Sequence, residues 1–335
     1  YELSEGLSES FSLEKILEST LNGESFFHNQ ELISGIKDLA LYEIRNAMIL
    51  GVEILIICVV IGLLKNLSAS FGSKSMSDIS MLVCTMVIIG ISMNSFRIVY
   101  QLALDSVSVM VSTMEILTPI LLGIMISTGA VTSGSILSPV IIGSVTGFGV
   151  ILKKIILPAL FVATILGLMN CLTEKDYVNK LGKLIRNASL IVTGLIIAVL
   201  TGIITIQGLI TETSDSLLMS AAKYSLSTFI PIVGGFTSDT IELFLRCMGT
   251  IKNVVGVFAV ITLVLIVVVP LIKILIIALI YKLTAAVTEP VSESKISDGL
   301  NEMGSCLISM ASIMFFCALL FIMFVSIILR IGGNA

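Results

Sequence analysis

The chain has 335 residues, 56% of them hydrophobic and 13% charged, with a mean hydropathy of +1.10, where an ordinary soluble domain carries roughly a quarter charged residues. That is the composition of a polytopic membrane protein, and 19 basic against 23 acidic residues leave no basic excess of the kind that binds nucleic acid by releasing counterions. One histidine, His28, and six cysteines (Cys58, Cys84, Cys171, Cys247, Cys306, Cys317) without a CxxC pair give no material for a zinc centre or a serine–histidine triad, and the cysteines read as small packing residues.

Residues 1–47 are acidic, with nine carboxylates against Lys15, Lys37 and Arg45. Leu3, Leu7, Phe11, Ile16, Leu17 and Leu21 recur at helical spacing, as do Leu32, Ile33, Ile36, Leu39 and Ala40. This pattern predicts two amphipathic helices joined near Asn22-Gly23, forming either a cap on the membrane domain or a docking element for partner proteins. The chain opens on Tyr1, and an acidic stretch leading into an apolar span fits a cleaved secretory signal; an imposed boundary would look the same.

Residues 48–64 and 79–96 are each long enough to cross a hydrocarbon core of roughly 30 Å. Glu53 lies one turn inside the first, either snorkelling to the interface or buried for a function. Residues 97–116 mix Arg97, Gln101, Asp105 and Glu115 with apolar residues, which predicts an interfacial helix or linker and closes a region 48–116.

Two halves follow, 117–212 and 213–335, each read with four apolar segments. The first has 117–131, 136–152, 155–172 and 190–210; the second has 217–235, 240–251, 254–287 and 306–329. Pro119 and Gly123 return as Pro231 and Gly235, and Pro158 returns as Pro270, all at one offset of 112. Helices broken at matching places in two halves point to a transport pathway, so these six residues are the predicted helix breaks. Four crossings per copy make the repeat parallel. The fold class is all-α, a polytopic helical membrane protein with a tandem parallel internal repeat.

The densest basic loop, Lys175, Lys180, Lys183 and Arg186, is placed in the cytoplasm by the positive-inside rule. Counting back through five crossings leaves the N-terminus outside. Gly143 and Gly147 form a GxxxG within a run of small residues, read as helix packing within one subunit, between copies in a ring, or along a pore. Asp239, Glu242 and Arg246 share one helix face at i, i+3 and i+7. They are either an intramembrane polar site or a wetted turn at the membrane surface.

There is no GxxxxGK[ST], HExxH or GxSxG, so no nucleotide or peptide hydrolysis, catalytic residue or cofactor is expected. Energy must come from a partner or an ion gradient.

Leu157-Pro158-Ala159-Leu160 through Leu181, Ala222-Lys223-Tyr224, Phe229-Ile230-Pro231-Ile232-Val233-Gly234, Lys252-Asn253 with Val255-Gly256, and Leu279-Ile280-Tyr281-Lys282-Leu283 closely resemble the stage III sporulation protein AE family of endospore-forming bacteria. The resemblance covers most of the chain. It implies a protein made in the mother cell, placed in the membrane around the engulfed forespore with its N-terminus in the intermembrane space, and part of a multiprotein transenvelope channel. The partners implied are the other proteins of the stage III sporulation A operon, including a cytoplasmic ATPase and ring-forming proteins, with a forespore membrane protein met indirectly; the reading of Gly143 and Gly147 as packing between copies in a ring adds a homo-oligomer. No catalytic residues carry over. The leading expectation is a channel or export-gate subunit; a non-conducting scaffold for the ring proteins and a stand-alone secondary transporter are the alternatives.

Overall fold

The computed structural model describes residues 41, 42, 44–61, 74–172, 179–229, 234–290 and 294–331. These are helical apart from short turns, with no strand among the described residues, and the expected all-α membrane class is met. Helix α1 spans Ile44–Ile61 and α2 spans Lys74–Ser127. Next come α3 (Val131–Ile151), a π-helical turn (Leu152–Ile156), α4 (Leu157–Met169) and a 3₁₀ turn (Asn170–Leu172). Helices α5 (Asn179–Phe229), α6 (Gly234–Thr288) and α7 (Ser294–Arg330) complete the order. Residues 1–40 with their predicted amphipathic helices, Lys175, and Pro231 lie outside the described residues.

Among the described residues six stretches are long and apolar enough to cross a membrane: Ile44–Ile61, Thr85–Ser127, Val131–Met169, Lys180–Leu218, Leu243–Thr288 and Lys295–Arg330. The ten separate apolar segments read from sequence are therefore merged. Residues 97–116 are no linker but the middle of α2, whose 54 residues at 1.5 Å each run about 80 Å. Phe96, Val99, Ala103, Val107, Met110, Met114, Thr118, Leu121 and Met125 are buried at three- and four-residue steps, so one buried and almost wholly apolar face runs beneath the exposed Arg97, Asp105 and Glu115. That periodicity outweighs the scattered charges.

The prolines do not break the described helices. Pro119 sits inside α2 and Pro270 inside α6. A helical proline forfeits one backbone hydrogen bond and crowds the preceding turn, which tightly packed or membrane helices tolerate. Beside Pro119 the Thr118 hydroxyl donates to the Met114 carbonyl at 2.6 Å. Pro158 is the second residue of α4 and follows the π-helical turn directly, inside one helical run from Val131 to Met169, so here too a helical proline is accommodated without ending the helix. Just before Pro158, Lys153 and Lys154 were expected between two spans, but they lie on the π-helical turn that joins α3 to α4.

Where α2 meets α3 the chain turns through Thr128, Gly129 and Ala130, and Gly129 has φ 93°. That left-handed conformation favours glycine.

The chain folds as two compact units, each gathered from separate stretches. The first holds the described residues up to Ala103 with Pro158–Ala188 and Val268–Ser312; the second holds Leu104–Leu157, Ser189–Val267 and the chain from Ile313 onward. In the first unit Ala47, Ile54, Cys58 and Ile61 form the buried stripe of α1, and Phe161 of α4 packs on Phe96 and Tyr100 of α2 at centroid distances of 5.8 and 4.9 Å. In the second unit α3 approaches α2 at Gly149, where a Cβ would lie 2.6 Å from Val111 Cγ2; Leu137, Ile141, Val145 and Phe148 of α3 are buried, and Phe321, Phe324 and Ile328 of α7 are fully buried. Large apolar side chains such as Ile191, Leu195, Ile206 and Leu217 are among the most exposed. Such a surface is stable against lipid tails, not water.

Candidate functional site

Ionisable side chains in a lipid-facing fold are costly and gather where they find partners or water. In the first unit they gather where α5, α6 and α7 meet. Glu302 of α7 accepts from Arg186 Nη1 at 2.6 Å and from Lys183 Nζ at 3.1 Å, both on α5. The Arg186 and Glu302 side chains are each 17% exposed, and Lys183 is 48% exposed. Lys282 of α6 donates to Asn301 Oδ1 at 3.3 Å and Ser305 Oγ at 3.2 Å on α7. Two glycines let the helices close on this cluster. A Cβ on Gly182 would lie 3.1 Å from the Ala163 carbonyl oxygen, and one on Gly304 would lie 3.0 Å from that of Ala278. Tyr281, next to Lys282 in α6, is fully buried, its hydroxyl 3.5 Å from the Ser92 carbonyl.

Cys171 lies against the same end of the unit, donating to the Lys295 carbonyl at 3.2 Å. Burial, reinforced by the Asp298 carboxylate, pushes its thiol up to about 11. The thiolate is the reactive form, so at pH 8 the native protein should alkylate at Cys171 about a hundredfold more slowly than an ordinary thiol. The rate should climb as pH approaches 11. Maleimide labelling followed by peptide mass spectrometry, with Cys171 of the denatured protein as reference, checks this; equal labelling rates in the native and denatured protein at pH 8 contradict it.

The second unit holds its polar groups differently. Asp215 of α5, 8% exposed, accepts the backbone N–H groups of Thr132 at 2.8 Å and Ser133 at 2.9 Å. A carboxylate from one helix thus caps the first turn of another, where unpaired N–H groups and the helix dipole both favour negative charge. Asp215→Ala should cost about 1–2 kcal/mol, at the upper end for a lost cap, seen as a lower unfolding midpoint in detergent, and Asp215→Asn should cost less. Lys252 of α6 is fully buried and donates to the Ile331 carbonyl at 2.6 Å, just beyond the end of α7. Lys153 donates to Ser108 Oγ at 3.2 Å, and Thr146 lies 3.2 Å from a Glu115 carboxylate oxygen.

The residues singled out from sequence are dispersed. Pro119 and Gly123 lie on the exposed face of α2, and Gly143 and Gly147 on that of α3; a Cβ on any of these three glycines would meet nothing within 4 Å. Pro158 and Pro270 are half-buried. Glu53 is exposed and lies near the centre of α1 instead of one turn from its end, because the helix begins earlier than the sequence suggested. Gly235, Asp239 and Glu242 fall on the first turns of α6, their side chains outside the described residues, and Arg246 is exposed. The Glu302 cluster and the Asp215 cap went unread. Their partners stand 116 and 83 positions apart, and only the i, i+3 spacing of Lys183 and Arg186 hinted that they face one acid.

Residues 11–332 match the family described as stage III sporulation protein AE. The chain belongs to the stage III sporulation protein AE family. A relative with that name in Bacillus subtilis (strain 168) is 28% identical over 316 residues, covering 93% of this chain and 78% of the relative. No solved structure matches. The family match takes in the six candidate spans found among the described residues and both polar clusters.

Proposed function

We propose that this chain is the membrane-embedded subunit of a multiprotein transenvelope channel, akin to a secretion complex, linking mother cell and forespore during endospore formation. Membership of the sporulation family over nearly the whole chain carries the reading, and six candidate spans support it. Its partners are the other stage III sporulation A proteins, among them a cytoplasmic ATPase and ring-forming proteins, and it contacts a forespore membrane protein through them. The absence of a nucleotide-binding motif from the sequence suits a subunit that leaves ATP hydrolysis to a partner.

The chain sits in the membrane surrounding the forespore. The basic group Lys175, Lys180, Lys183 and Arg186 follows three candidate spans and faces the mother-cell cytoplasm by the positive-inside rule. Three crossings, like the five first counted, put the acidic N-terminal segment in the intermembrane space. Residues 1–47 are its cap there, and Pro119, Gly123, Pro231, Gly235 and the Asp239–Glu242–Arg246 face border the conducting path.

Deleting the gene in a spore former should yield engulfed forespores that fail to mature. Complementation with Asp239→Asn, Glu242→Gln or Arg246→Gln should fail likewise while the protein stays in the membrane. Normal spores from the deletion strain would refute the function, and normal spores from the three variants would remove that face from the path.

A further inference from the structure

Helix α1 is packed on one face only. A Cβ built on Gly51 meets Ile280 Cγ2 at 2.8 Å and Thr284 Oγ1 at 3.0 Å, which sets Gly51 level with the turn of α6 that carries Lys282. Glu53 is two residues on, a rise of about 3 Å. Glu53 and Lys282 therefore stand at nearly one height in the first unit.

The outward face of α1 sets Glu53 among Ile49, Val52 and Ile56, all exposed. The carboxylate has no hydrogen bond or ion pair among the described residues. The outward face of α6 is a second apolar stripe, Leu279, Leu283 and Val287, with Lys282 on its edge. Lys183 and Arg186 share Glu302, whereas among the described residues Lys282 meets an amide oxygen and a hydroxyl but no carboxylate. One apolar face thus carries an acid without a base, and another carries a base without an acid.

We propose that these faces meet between copies of the chain, α1 of one copy lying against α6 of the next with Glu53 paired to Lys282 of its neighbour. Rotation about the membrane normal keeps every residue at its own height, so only groups already level can pair in a cyclic assembly. The two faces differ, which makes the contact heterologous and the assembly a ring. Pairing like faces would set carboxylate against carboxylate or ammonium against ammonium. The inference holds for any multicopy assembly of this chain, whatever that assembly carries.

The test co-expresses two differently tagged full-length copies in one membrane and measures how much of the second is recovered with the first. Glu53→Lys paired with itself, and Lys282→Glu paired with itself, should each lower recovery by about tenfold, because each interface then joins like charges. A mixture of the two variants should return to within about twofold of wild type, since every alternating interface then joins opposite charges. A contact within one chain cannot be complemented in this way. Val52→Cys in one copy and Leu283→Cys in the other should also cross-link the two tags on oxidation, without any change of charge. Like pairs recovered as well as wild type, a mixed pair no better than the like pairs, or no cross-link between tags would each overturn the proposal.

Discussion

Glu302→Gln should lower the unfolding midpoint of the purified protein more than any other conservative substitution in the first unit. The carboxylate serves two bases, and the closer, Arg186, shares its low exposure. Without Glu302 the guanidinium stays in a largely desolvated site with no counter-charge, and breaking a buried pair in this way costs about 3–5 kcal/mol. The residual exposure lowers the expectation to about 2–4 kcal/mol. Lys183→Gln should cost less than about 1 kcal/mol, because that ammonium is half in solvent and an exposed ion pair is worth little. Removing both ends with Glu302→Gln and Arg186→Met should cost less than the two single changes together, since the charge left without a partner is then the half-exposed Lys183 and not the desolvated guanidinium. Thermal unfolding followed by intrinsic fluorescence in detergent or nanodiscs measures all four. Equal losses for Lys183→Gln and Glu302→Gln would contradict this ordering.

Lys252→Glu should leave little folded protein. The wild-type ammonium is fully buried and meets the Ile331 carbonyl, at the end of α7 where unpaired carbonyls and the helix dipole favour a cation. A carboxylate there would be buried against the negative end of a helix, costing more than about 4 kcal/mol. Lys252→Met keeps the aliphatic stem and leaves one carbonyl unmatched, about 1–3 kcal/mol. Lys252→Ala adds the lost packing of the stem, about 2–4 kcal/mol in all. Yield of monodisperse protein and unfolding midpoint should therefore fall in the order wild type, Met, Ala, Glu. A glutamate variant as stable as the methionine variant would show that α7 does not end on this lysine.

The membrane class and the positions of most apolar stretches were legible because composition and periodicity are local. The first span was read within a few residues. Helix continuity was lost wherever a local breaker was taken at face value. Pro119 and Pro270 each looked like a break, and the Lys153-Lys154 pair and the interval before Val254 each looked like an end, yet α2, the α3–α4 joint and α6 run through them. The buried stripe from Phe96 to Met125 was a sequence signal strong enough to override the charges between 97 and 116, had it been weighed over the whole stretch. The candidate sites were less legible than the fold, since a residue such as Asp215 or Lys252 acquires its role only from a backbone group 79 or more positions away. Nothing near Lys252 in sequence marks it as the partner of the last helix; it read as a gap between two spans.

The measurement that most directly tests the proposed channel is the transfer of a small membrane-impermeant fluorescent tracer from the mother cell into engulfed forespores. With wild-type chain the tracer should reach the forespore; without the chain, transfer should fall to background although engulfment is complete. Transfer of equal rate and extent in the strain lacking the chain would contradict the account.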